Sequence, residues 1–163
     1  METKSRDNYV KNLRAKLQLD NVHIVSKHNT SGGLALFWSR DINLHVLDAS
    51  LTFIDAVVNP GVDDAWRFMG FYGNPVMANW EHSWALLKHL SLKMDFPWIC
   101  AGDFNEIVRV EEKLGGAMRC ERQMIDFRDA LDFCGFQDLG FVGSLFTWCN
   151  NQFDGIVDRK SVV

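Results

Sequence analysis

The chain is short of several features that would have named a chemistry outright. It has four cysteines, Cys100, Cys120, Cys134 and Cys149, with no CxxC pair among them. No Cys/His spacing matches a zinc site. Three of the four lie in apolar runs, the habit of buried free thiols in a reducing compartment. The five histidines do not cluster. His82 and His89 are seven apart on one predicted helix, too far for a shared metal, which needs a spacing of three or four. There is no GxSxG elbow and no phosphate-binding P-loop. This excludes the usual serine-hydrolase and nucleotide-cofactor schemes.

Long apolar runs are also missing. None reaches the roughly 18 residues needed to span a bilayer, and the N-terminus lacks a signal-peptide core. The chain is therefore expected to be soluble and intracellular, with no membrane partner. Basic charge is scarce: the formal net charge is −4. A free-standing nucleic-acid binder usually carries a basic stripe. The deficit weighs less against a nuclease, because a bound divalent cation adds local positive charge.

What is present is ordinary globular material. The 163 residues are 47% hydrophobic and 23% charged, enough for one domain with its core. The aromatic share of 12% favours a packed interior containing sheet. Residues 6–19 read as a helix, with Val10, Leu13 and Leu17 on one face and Ser5 or Asp7 as candidate cap. Strands are predicted at Val22–Ser26, Leu34–Trp38, Leu44–Asp48, Leu51–Val58 and Trp66–Tyr72. Their short connections suggest antiparallel neighbours.

A second helix is predicted over 80–94, with Asn79 as cap. Pro97–Ala101 is wholly apolar and reads as a strand buried on both faces. A third helix covers 121–134, with Met124, Phe127, Leu131 and Cys134 facing inward and Gly135 ending it. Phe146–Cys149 reads as a last strand, and the tail from Asn150 as irregular. The order α, several β, α, β, α, β implies an α/β fold with mixed sheets and outer helices.

Three segments carry candidate chemistry. Gly102-Asp103-Phe104-Asn105-Glu106 follows a strand, a common place for functional groups. If the chain stays extended, Asp103 and Asn105 share a face. Asp can take a proton from water, and Asn can orient that water or a phosphate oxygen. The same residues also make an ordinary turn at a strand end. Tyr72, one of two tyrosines, ends another strand before Gly73-Asn74-Pro75. Its phenol is a candidate phosphate donor or a half-buried edge aromatic. Glu2 offers a carboxylate or plain solvated surface. Arg109, Lys113, Arg119 and Arg122 are candidate phosphate contacts, or a mixed solvated loop.

Read in order, E-T-K, S-G-G-L-A-L-F-W, W-R-F-M-G-F-Y-G-N-P, S-W-A-L-L, P-W-I-C-A-G-D-F-N-E-I, E-K-L-G-G, Q-M-I-D-F-R-D-A-L, D-L-G-F-V-G and F-T-W-C-N strongly resemble the endonuclease domain of plant LINE-type (non-LTR) retrotransposons. That domain belongs to the endonuclease/exonuclease/phosphatase superfamily, with DNase I. The resemblance implies a DNase I-like four-layer α/β sandwich of two mixed sheets. It implies DNA as substrate, Mg²⁺ as cofactor held by Glu2, and a monomer. Asp103 would activate the attacking water. Asn105 would hold phosphate and water, and Tyr72 would contact the scissile phosphate. Asn74 and Asn150 would bind substrate; Trp148 and Asn150 match the family's T-W-x-N strand, where core packing fits both equally well.

The family pattern also has a strand before E-T-K, and later an RLDR-like strand and an S-D-H motif. This chain runs from Met1 to Val163 without them, and Asp158-Arg159 resembles the end of RLDR only superficially. The expectation is a partial domain over 1–163, impaired in catalysis, with uncovered sheet edges. An inactive remnant and a non-catalytic nucleic-acid or protein-binding module stand as alternatives.

Overall fold

The computed structural model describes residues 3, 5–27, 32–140, 142–143, 146, 148–149 and 159–160. The chain divides into two compact units. The first holds Met1–Tyr72 and Asp95–Gly102, the second Gly73–Met94 and Asp103–Val163.

The first unit opens with helix α1, Asp7–Lys16. Neither predicted residue caps it: Arg6 occupies the N-cap without a side-chain bond. Asp7 lies inside the first turn, where its carboxylate suits the helix dipole, and accepts a 2.6 Å bond from Ser26 Oγ. Val10 is buried, but Leu17 is exposed, because the helix ends there and Gln18 turns left-handed at φ 56°.

Strands β1 (Asn21–Val25) and β2 (Leu34–Trp38) form an antiparallel pair, from Val25 opposite Leu34 to Asn21 opposite Trp38. A separate four-stranded sheet has the order β3 (Leu44–Ala49), β4 (Phe53–Val58), β5 (Trp66–Tyr72), β6 (Trp98–Asp103). β2 therefore pairs with β1 and not with its other sequence neighbour, and it packs against β4. β3, β4 and β5 are successively antiparallel, with an irregularity between Val46 and Asp48. Arg67 N–H bonds to Pro97 O and Gly73 N–H to Asp103 O. Both partners advance together, so β6 runs parallel to β5 and the sheet is mixed.

All six residues of β4 are buried, as befits a central strand covered on both faces. One of them is Asp55. Its carboxylate receives two bonds from Arg67 on β5, Nε to Oδ1 and Nη2 to Oδ2, each 2.8 Å. The Trp98 ring lies 4.4 Å from the guanidinium carbon. By contrast, β6 is not buried on both faces as its composition predicts. It ends the sheet order among the described residues, and Ile99 is 41% exposed. A short apolar run fits an edge strand as readily as a central one.

The second unit is built on α2 (Trp80–Ser91) and α3 (Glu121–Phe133), which pack on each other. Trp84 and Phe127 stack with centroids 4.6 Å apart, and Phe104 meets Phe127 at 5.4 Å. Ala130, not Leu131, is the fully buried neighbour on α3. Asn79 holds the N-cap position of α2 but makes no side-chain cap bond, since a 3₁₀ turn at Met77–Asn79 leads into the helix. Gly135 follows α3 at φ 68°, the left-handed stop its position predicts.

A small antiparallel sheet has the order β7 (Lys113–Leu114), β9 (Arg159–Lys160), β8 (Trp148–Cys149). Residues 159–160 are thus a strand, where composition reads irregular tail. Two-residue ladders arise from pairing with distant chain and leave no pattern of their own. Of the cysteines expected to be buried, Cys100 and Cys134 are only half-buried. No helix among the described residues is long and apolar enough to cross a membrane.

Candidate active site

Two glycines shape the ends of β5 and β6. In the first unit, a Cβ on Gly102 would sit 1.9 Å from the Phe71 carbonyl oxygen. In the second, a Cβ on Gly73 would sit 2.0 Å from the Phe104 carbonyl oxygen. Neither gap admits a side chain, so both positions require glycine. These are the glycines of the Y-G-N-P and G-D-F-N segments.

Beyond Asp103 the chain does not stay extended. Asn105 is left-handed at φ 59°, a conformation asparagine tolerates well, and its backbone N–H donates to Asp103 Oδ1 at 2.9 Å. The turn chemistry expected as an alternative is therefore present, and the shared-face argument from an extended chain does not apply. The turn is tied down at two further points. Gly73 N–H donates to the Asp103 carbonyl at 2.8 Å, and Asn105 Nδ2 donates to the Gly73 carbonyl at 2.7 Å. Asp103 and Asn105 are both half-buried.

Asn74 continues the same loop. Its Oδ1 accepts from Val76 N–H at 2.9 Å, its N–H donates to Ser83 Oγ at 3.0 Å, and its carbonyl accepts from Trp80 Nε1 at 2.7 Å. The second unit thus brings Asp103, Asn105 and the Gly73-Asn74 segment together. Tyr72 belongs to the first unit, at the end of β5, half-buried, with its N–H bonded to Thr52 O at 2.7 Å. Glu2, Asn150 and Asp158 lie outside the described residues.

Arg119, expected as a candidate phosphate contact, faces inward. Its Nε lies 3.1 Å from Glu106 Oε1, off the N–H axis, and its side chain is 13% exposed while that of Glu106 is fully buried. Glu106 Oε1 also accepts Ile107 N–H at 2.8 Å. Arg119 Nη2 reaches the Asn105 carbonyl at 3.4 Å, and its guanidinium lies 4.7 Å from the Trp80 ring centre. Lys113 Nζ bonds to the Gly115 carbonyl, whereas Arg109 and Arg122 are exposed. Arg128 braces the same region, donating to Val108 O at 2.8 Å and to Glu121 at 2.6 Å.

Sequence reasoning missed Trp80, Ser83 and Glu106 as supports of these loops. Trp80 reads as part of an apolar helix stripe, and nothing marks its indole N–H as a bond donor. Glu106 directly follows Asn105, which is the only hint it offers.

Among the described residues no cluster of three or more His, Cys, Asp or Glu side chains stands ready to hold a metal. The donors that do gather, Asp103 and Asn105, are oxygen ligands of the kind Mg²⁺ prefers over softer metals.

No protein-family model matches the chain, and no curated protein does. Among solved structures it is similar to the endonuclease domain of TRAS1, a telomere-specific non-LTR retrotransposon. The TM-score is 0.69 at 12% identity, covering 98% of this chain and 78% of that one. At that identity the likeness is one of backbone, and the chain has the α/β fold of that domain, the DNase I-like sandwich.

Proposed function

We propose that the chain derives from a Mg²⁺-dependent endonuclease that hydrolyses DNA phosphodiester bonds by attack of water on phosphorus. The observation that carries this is the double tie between Asp103-Asn105 and Gly73, which holds a carboxylate and an amide at one loop junction. The fold likeness to a retrotransposon endonuclease domain supports it. The ordered motifs support an ancestry among plant LINE-type elements.

In this reading Asp103 accepts the proton of the attacking water. Asn105, its side chain oriented by the Gly73 carbonyl, holds the water or a phosphate oxygen. Tyr72 donates from its phenol to the scissile phosphate, and Asn74 and Asn150 hold the substrate strand. Water oxygen bonds to phosphorus, and the leaving oxygen departs with the bonding pair. Glu2 would hold a divalent cation, which would supply positive charge against the developing oxyanion.

The test is a plasmid-nicking assay in Mg²⁺ with the wild-type chain and Asp103→Ala. Nicking should fall by roughly 10²–10⁴-fold in the variant, the usual worth of a positioned general base. Equal background in both proteins would sink the catalytic reading. Salt-dependent DNA binding without cleavage would replace it with a binding module.

A further inference from the structure

The contacts around Arg119 close into a ring. Asn105 Nδ2 bonds to the Gly73 carbonyl at 2.7 Å, and the next carbonyl, Asn74, accepts the Trp80 indole at 2.7 Å. The Trp80 ring carries the Arg119 guanidinium at 4.7 Å, and Arg119 Nη2 returns to the Asn105 carbonyl at 3.4 Å. Glu106 Oε1 lies 3.1 Å from the guanidinium Nε. Every member belongs to the second unit.

The ring joins three stretches of chain. These are the loop after β5, the turn after β6, and the segment leading into α3. A planar guanidinium can stack flat on an aromatic face and donate in its own plane from a fixed fork, whereas an ammonium has no plane to stack and no fixed donor direction. Asn105 also sits in the left-handed conformation, at φ 59°.

We propose that Arg119 is a positioning residue, which through Trp80 and the Asn105 carbonyl fixes the Asn105 side-chain amide against Gly73. It contacts no substrate in this scheme. The part of the claim that concerns rate rests on the nuclease reading; the part that concerns Asn105 does not.

Two measurements on the 163-residue chain test it. The first is NMR hydrogen exchange of the Asn105 Nδ2 protons. Arg119→Gln should speed that exchange by about tenfold or more, through local opening of the turn. The second is plasmid-nicking kinetics in Mg²⁺. The same variant should lose roughly tenfold to a hundredfold in kcat with KM changed less than about threefold, since misplacing a catalytic group harms the transition state.

Arg119→Lys should not restore either value, whereas Trp80→Phe should show a weaker effect of the same sign. Should Arg119→Gln fail to fold, those two variants decide the matter by the same pair of measurements. Unchanged Asn105 exchange in a folded Arg119 variant overturns the proposal. So does a lowered melting temperature with normal kcat, which marks a purely structural residue. If wild type and Asp103→Ala nick alike, the nuclease reading fails by itself and the exchange experiment still decides the role of Arg119.

Discussion

Each unit buries an arginine–carboxylate pair beside a tryptophan, and the two pairs are finished to different degrees. In the first unit Arg67 and Asp55 are each 1% exposed and meet fork to fork through two 2.8 Å bonds, with Trp98 stacked on the cation. In the second, Glu106 meets Arg119 through one skewed 3.1 Å approach, and the arginine directs a donor at a loop carbonyl. A guanidinium whose fork matches a carboxylate takes its orientation from that carboxylate. One whose fork is only partly used takes its remaining direction from its neighbours. The first pair therefore stiffens a sheet. The second passes the position of one loop to another.

The largest test of that contrast removes one partner of the closed pair. Arg67→Ala should cost about 3–5 kcal/mol in urea unfolding, because Asp55 would be left charged in the interior. Replacing both at once, Arg67→Met with Asp55→Leu, should recover most of that loss. A double variant as unstable as the single would show that the pair is not what matters there.

Next come the two glycines, one per unit. Gly102→Ala and Gly73→Ala should each cost about 3 kcal/mol, because a methyl group would meet a backbone carbonyl near 2 Å in both. Calorimetry of both variants sharpens the comparison. Gly73→Ala should also disturb the Asn105 amide in NMR spectra, because Gly73 is its acceptor.

Glu106→Gln should be milder, about 1–3 kcal/mol by denaturant titration. The amide keeps an acceptor for Ile107 N–H and loses the charge facing Arg119.

The smallest effect belongs to the surface of the first unit. Hydrogen bonds from the Arg40 side chain and backbone N–H hold the Asp20 carboxyl below its ordinary value of 3.8. A depressed carboxylate stabilises above its unfolded pKa and loses that effect as pH falls through the folded value. Asp20→Asn should thus lower the melting temperature slightly at neutral pH, and the difference should shrink as pH drops below 3.8. A gap that widens in acid would contradict the assignment.

Much of the framework was legible in the chain. Leu34–Trp38 and Trp66–Tyr72 are strands with the predicted limits, and α2 and α3 begin at the predicted residues, 80 and 121. Period-two and period-3.6 patterns report local burial directly. The turn at Asp103-Asn105 was visible as one of two readings, and the structure contains it. The edge position of β6, the strand at Arg159–Lys160 and the inward turn of Arg119 were not visible. Each depends on which distant segment arrives beside it, and composition carries no record of that.

Residue order alone determined where the three helices and the longer strands lie, and that Gly73 and Gly102 flank the polar residues of interest, because those properties follow from side-chain spacing and backbone freedom. Tertiary structure decided that the Asn105 amide points at Gly73 and that Arg119 lies over an indole. Hydrogen bonds and cation–π contacts act over a few ångströms, so they exist only after folding has brought remote segments within reach.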